Sequence, residues 1–132
     1  MRHLLPALAL LSVLLIPGCG FVHDEHITGP YRLNAVDVDE QMSISYDLGG
    51  SAVGRTGETV FSYGFDKRFI VAKQHPNNDR SITNYFYLDM TKDSKYAEPS
   101  DCVTGPLTQK EFEEDTKRLS LPIFSRTLTA LK

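Results

Sequence analysis

The sequence predicts an α+β fold, mainly an antiparallel β meander with one helix near the C-terminus. Three observations lead there. Apolar and polar residues alternate with period two over much of the chain from Tyr31 to Met90, the pattern of half-buried strands. The alternating stretches are separated by short turns and never by a helical stretch, which favours antiparallel neighbours over parallel βαβ units. After Thr104-Gly105-Pro106 the pattern changes and a helix-start signature follows.

Tyr31 to Val38 sets Tyr31, Leu33 and Ala35 against Arg32 and Asn34. Asp39-Glu40-Gln41 is short enough for a hairpin turn. Met42 to Leu48 alternates more cleanly, with Met42, Ile44, Tyr46 and Leu48 on one face and Ser43, Ser45 and Asp47 on the other. Gly49-Gly50 supplies the next turn. Ser51 to Arg55 reads as a weak strand closed by Thr56-Gly57-Glu58. Thr59 to Tyr63, a turn at Gly64-Phe65-Asp66-Lys67, and Arg68 to Lys73 come next. Gln74 to Arg80 gathers Pro, two Asn and Asp, the composition of an exposed loop. Ser81 to Met90 is rich in β-branched and aromatic residues and is the strongest strand. Thr108 and Glu111 have capping-box spacing, and Gln109 to Leu119 form helices well. Glu113 with Lys117, and Glu114 with Arg118, have the i,i+4 spacing of helix ion pairs. Leu121-Pro122 ends the helix, and Ile123 to Leu128 adds an edge strand or a packed tail.

The N-terminus carries a different signal. Arg2-His3 precedes an apolar run from Leu4 to Ile16, which breaks at Pro17-Gly18-Cys19. A charged start, a short apolar run and a small residue at the break mark an export signal. The run is too short to span a bilayer, which takes about 20 residues. Ile16-Pro17-Gly18-Cys19 resembles the bacterial lipobox, whose cysteine is acylated and becomes the first residue of the mature protein. The expected organisation is a lipoprotein signal peptide over residues 1–18, lipidated Cys19 and a polar tether over 19–28, and one globular domain over 29–132.

Removing residues 1–18 takes away Arg2 and no acid, so 14 Lys+Arg become 13 against 17 Asp+Glu, a formal charge of −4. Both signs are spread along the chain, and no basic patch points to nucleic acid. The expected membrane partner is reached through the acyl chains on Cys19, since stable anchoring takes more than one chain. By resemblance to sorting in enteric-type bacteria, Gly20 after the cysteine implies the outer membrane, facing the periplasm. Lipidation of Cys19 leaves Cys102 without an intramolecular partner, and a lone cysteine of this kind is expected to be buried and inert.

Few residues suggest chemistry. His23-Asp24-Glu25-His26 offers metal-ligand types at a spacing that matches no zinc signature. Asp37, Asp39 and Glu40 form an acidic cluster without the calcium-loop pattern. His75 and Cys102 are a base and a thiol with no third orienting group. No Gly-x-Ser-x-Gly and no His-Glu-x-x-His occurs. The aromatic set Phe61, Tyr63, Phe65, Phe69, Tyr85, Phe86 and Tyr87 is divided by strand alternation. If Phe86 packs with Ile82, Leu88 and Met90, then Tyr85 and Tyr87 point to the opposite face. There they form either a candidate interaction face or ordinary packing under the helix.

Tyr85-Phe86-Tyr87-Leu88-Asp89, a loop, then Gly105-Pro106-Leu107-Thr108 and Glu111-Phe112 resemble a family of small bacterial lipoproteins of unknown function. In that family a tyrosine-rich strand runs into a Gly-Pro-Leu capped helix. The resemblance covers Tyr85 to Leu121 and implies the fold, with no activity. The expected role is a non-enzymatic envelope lipoprotein that acts as a binding or interaction module, with an envelope protein as partner and no cofactor. A small-ligand or metal carrier and an accessory envelope hydrolase are the alternatives.

Overall fold

The structure, a computed structural model, describes residues 20–132. The signal-peptide segment and Cys19 lie outside the described residues. β1 (His23–Thr28), β2 (Tyr31–Ala35), β3 (Ser43–Asp47) and β4 (Ala52–Gly54) form a four-stranded sheet in chain order. The chain then crosses to a second sheet made of β5 (Val60–Phe65), β6 (Phe69–Gln74), β7 (Asn84–Asp89), β8 (Val103–Leu107) and β9 (Arg126–Thr127), in the order β8-β7-β6-β5-β9. Every pairing is antiparallel. Two short meanders replace the single one, and α1 (Pro99–Cys102) and α2 (Gln109–Leu119) complete the α+β fold the sequence predicts.

Alternation explains how the layers stack. Leu33 and Ile44 of the first sheet, with Met42 just before β3, meet Val60, Phe61, Ile70, Phe86 and Leu88 of the second in a core between the sheets. The second sheet is covered on its other face too, where Phe69, Val71, Tyr85 and Tyr87 pack with Phe112 of α2 and with Leu121. β6 is therefore apolar on both faces, and Phe69-Ile70-Val71-Ala72 reads as a continuous apolar run rather than an alternating one. Tyr85 and Tyr87 do face away from Phe86, as the alternation predicts. They are only 9% and 8% exposed, however, so the expected interaction face is instead the floor beneath α2.

α2 begins where the sequence places it. Thr108 Oγ1 accepts from Glu111 N at 3.2 Å, and Glu111 Oε1 accepts from Thr108 N at 3.0 Å, so two orphan donors of the first turn are satisfied reciprocally. Ser120 adopts a left-handed conformation, φ 56°, and turns the chain back across the second sheet. Here the backbone of Ile123 and Phe124 lies directly on Gly64. A Cβ at Gly64 would sit 1.8 Å from the Ile123 carbonyl oxygen. Ser125 N then donates to Tyr63 O, and β9 adds an edge strand to β5. Leu131, 3% exposed, plugs the core between the sheets.

The expected tether needs correction. His23–Thr28 is β1, paired with β2 in register from His23↔Ala35 to Thr28↔Tyr31, and Ile27 is buried. Val22 N already donates to Ala35 O at 2.9 Å. The fold therefore begins before Gly29. The segment reads as a linker because only Ile27 on it is apolar, but its inward polar side chain, Glu25, has the buried Tyr63 and the half-exposed Arg126 as partners.

Candidate functional site

Two aspartates flank one short turn and hold it from opposite sides. The turn, Met90–Lys92, is a single 3-10 segment after β7. Asp89 caps it by accepting from Thr91 N at 3.0 Å and from the Thr91 hydroxyl at 2.6 Å, the local bonding that makes Asp a turn former. The same carboxylate receives Arg68, with Nη2 at 2.9 Å. Asp93, beyond the turn, points the other way. Its two oxygens take Arg55 Nε at 2.8 Å and Arg55 Nη2 at 2.9 Å, and the Tyr31 hydroxyl donates to it at 2.8 Å. Arg55 also donates to Ser94 O at 3.0 Å and lies over the Tyr46 ring.

These two ion pairs differ in exposure. The Arg55 and Asp93 side chains are 1% and 0% exposed. Burial pushes the Asp93 carboxyl up, but hydrogen bonds from Arg55 and Tyr31 outweigh it and hold the group below the ordinary carboxylate range. Burial and the Asp93 charge next to it raise the Tyr31 hydroxyl. Asp89 is likewise held low by Arg68 and Thr91 against the effect of burial. Its partner Arg68, however, is half exposed.

The turn held in this way borders a cleft of about 280 Å³ between β7, α1 with the start of β8, and the C-terminal end of α2. Arg68, Lys92 and Arg118 line it, opposed by Asp89 and Asp101. Asp115 holds the far wall, accepting from the Tyr87 hydroxyl at 3.0 Å and from Arg118 at 3.1 Å. Arg118 thus pairs with Asp115, three residues away, and not with Glu114. Asp101 is occupied in part by Glu98 N at 2.9 Å, which closes the first turn of α1. Lys92 has no carboxylate partner among the described residues. The cleft is polar, with its charges nearly balanced and mostly engaged.

Cys102 reaches this cleft from the core side. It is free and 5% exposed. Burial, with the neighbouring Asp93 charge, pushes its thiol up to about 11, so it is protonated at neutral pH and a poor nucleophile. His75 does not line this cleft. It is 4% exposed, stacks on Phe61 at 4.1 Å between ring centroids, and hydrogen-bonds Ile82 O through Nδ1 at 2.8 Å. The thiol and the imidazole are not brought together.

Strand alternation splits the His23-Asp24-Glu25-His26 quartet between two faces. Glu25 takes the Tyr63 hydroxyl and Arg126, at 3.1 Å, across the gap between sheets, with His23 beside it. Asp24 pairs with Arg32 at 2.6 Å on the outer face, where His26 Nε2 meets Gly29 O at 2.9 Å. Among the described residues no three His, Cys, Asp or Glu side chains are grouped to hold a metal ion. Asp39 and Glu40 lie on an exposed 3-10 turn with Asp37 just before it. No described helix is long and apolar enough to cross a membrane.

Sequence reasoning missed Arg55, Asp93, Arg68 and Lys92 as a connected group. The local trace was Asp89-Met90-Thr91, an Asp two residues before a donor, which is the signature of a capped turn. Comparison with known proteins adds one finding. Residues 28–125 match the model of a family described as a protein of unknown function, DUF3997. No curated protein and no solved structure matches the chain.

Proposed function

The chain belongs to this family of unknown function, so its role is read from its own residues, and we propose that it is a non-enzymatic interaction module on an envelope lipoprotein. Acylated Cys19 anchors it, and Gly20 after the cysteine directs it to the outer membrane, on the periplasmic side. One observation carries the binding role: the cleft in which Lys92 stands uncommitted between two engaged Arg–Asp pairs, on a turn fixed from both sides. A bare anion would meet one free cation there against the charge of Asp101. A peptide segment, with donors, acceptors and both charges, fits a balanced cleft better. Complementary charges of this kind select a partner and fix its register more than they add raw affinity. Its wall is therefore assigned to an envelope protein.

The chemistry of the cleft supports binding over turnover. No histidine is among its lining residues, the Tyr87 hydroxyl is spent on Asp115, and the Cys102 thiol is held protonated.

Two measurements test the reading. Cys19→Ala should leave an unprocessed precursor that takes up no acyl label, and normal cleavage with membrane retention would sink the anchor. Crosslinking in intact envelopes should capture a discrete protein, and Lys92→Glu should abolish that capture while the acylated protein is still made and folded. Capture unaffected by Lys92→Glu would remove the cleft from the interface.

A further inference from the structure

We propose that the apolar end of the first sheet, where Phe21 and Val36 share a groove and Val22 and Val38 lie close to them in the chain, rests on the lipid bilayer itself, so that the domain lies against the membrane rather than swinging from it. This rests on the acylated Cys19 of the preceding section. The four side chains are 44%, 56%, 54% and 51% exposed. Phe21 and Val36, with Gly20 and Asp37, line one shallow groove of about 300 Å³ at the end of the first sheet. They are large apolar groups left in water at the point where the chain enters the fold.

Chain length supplies the occupant. Val22 N is already tied to Ala35 O at 2.9 Å and β1 starts at His23, so most of the tether expected from Gly20 to Thr28 is strand instead. Phe21 is two residues beyond Cys19, with only Gly20 between them, and a chain extends at most about 3.3–3.6 Å per residue. Phe21 is therefore within about 7 Å of a residue whose acyl chains are in the bilayer. Apolar faces of interfacial proteins sink about 5–10 Å into the boundary between headgroups and acyl chains. The two lengths agree, so an acylated Cys19 brings Phe21, and the groove it shares with Val36, to the membrane surface. Asp37, Asp39 and Glu40 are exposed nearby and disfavour an anionic surface, so the lipid face it fits is zwitterionic. Ile123, 82% exposed on the strand-crossing segment beside α2, is left in solvent.

The chain contains no tryptophan, so one introduced indole reports alone. The full acylated protein carrying Val36→Trp is reconstituted into phosphatidylcholine–phosphatidylethanolamine vesicles, with Val38→Trp as a second reporter and Ile123→Trp as the control. Both patch reporters should shift their emission to shorter wavelength on reconstitution and lose intensity to lipids brominated high on the acyl chain. The control should keep a water-exposed emission. Vesicles that float with the protein while the patch reporters stay at the water-exposed wavelength would overturn this inference and leave the anchor standing. Protein without acyl mass that fails to float would overturn both. A short-wavelength emission before lipid is added would mean that the patch is covered by a second copy or by the protein's own acyl chain, and would also overturn it.

Discussion

Arg55–Asp93 and Arg68–Asp89 are the same chemical pair, set at the two ends of one three-residue turn, and they differ in whether water reaches them. Neither partner of the first is exposed, and a tyrosine hydroxyl and a backbone carbonyl complete its hydrogen bonding. In the second pair the carboxylate is buried while the guanidinium stands half in solvent, lining a cleft. The first pair ties the crossover between sheets to the end of β7. A buried pair adds little net stability over an apolar substitute, yet losing one partner is costly because the other charge is stranded. In the second pair, loss of the arginine leaves an aspartate that still caps Thr91. Exposure therefore assigns the first pair to holding the fold, and on the proposed reading it leaves the second to meet a partner.

The sharpest way to break this contrast is Asp93→Ala. It strands Arg55 and should cost about 3–5 kcal/mol, a large share of the roughly 5–15 kcal/mol that a domain of this size has. Urea melts of a chain beginning at Gly20 would measure it, and a loss below 1 kcal/mol would mean that water reaches the pair. Tyr31→Phe removes one donor to the buried carboxylate and should cost about 1.5–3 kcal/mol, the range for hydrogen bonds to charged groups. Thr108→Ala, at a cap remote from both pairs, should cost about 0.5–2 kcal/mol, while Thr108→Ser stays near the parent. If Thr108→Ala were silent, α2 would not depend on its capping box. Arg68→Ala should leave the melt close to the parent's and weaken only partner capture. If it destabilised the chain as much as Asp93→Ala, the division between the two pairs would fail.

Acid sharpens the same comparison. Asp93, Asp89 and Glu25 all have carboxyls held below their ordinary values by hydrogen bonds that outweigh burial. A depressed carboxyl contributes its stabilisation fully above the unfolded-state value, about 4. That contribution is lost as pH falls through the lower folded-state value. Stability should therefore be flat near neutrality and fall below about pH 4, with a shallower fall in Asp93→Asn. An unchanged slope in that variant would show that Asp93 is not among the titrating groups.

Local pattern made much of the fold legible. Alternation located β2 and β3, turn signals with β-branched and aromatic content located β5, β6 and β7, and the Thr108–Glu111 spacing located α2 to the residue. β1 was hidden because its polar residues have partners far along the chain: Glu25 meets Arg126, 101 residues away. β8 was hidden because Gly105-Pro106 interrupts any period-two pattern. Alternation gave Tyr85 and Tyr87 the correct direction and left open whether the helix covers them or a partner meets them. That cover comes from Phe112 of α2 and from Leu121 and Phe124, which follow a left-handed turn at Ser120 that no propensity marks strongly. The cleft was illegible for the same reason. Arg55 and Asp93 stand 38 residues apart and Arg68 and Asp89 stand 21 apart, separations at which spacing has no periodic meaning.

The last dozen residues also set the order in which the chain can finish folding. Both meanders pair neighbours and can zip as each hairpin appears. The lane over Gly64, the edge of β5 and the plug at Leu131 stay open until the final residues arrive. Until then β5 offers a bare edge, the core between the sheets is unsealed, and Glu25 lacks its arginine. In a chain synthesised from its N-terminus, both meanders therefore precede the segment that closes them, and residues 121–132 add the contacts of Arg126 and Leu131 that join one sheet to the other.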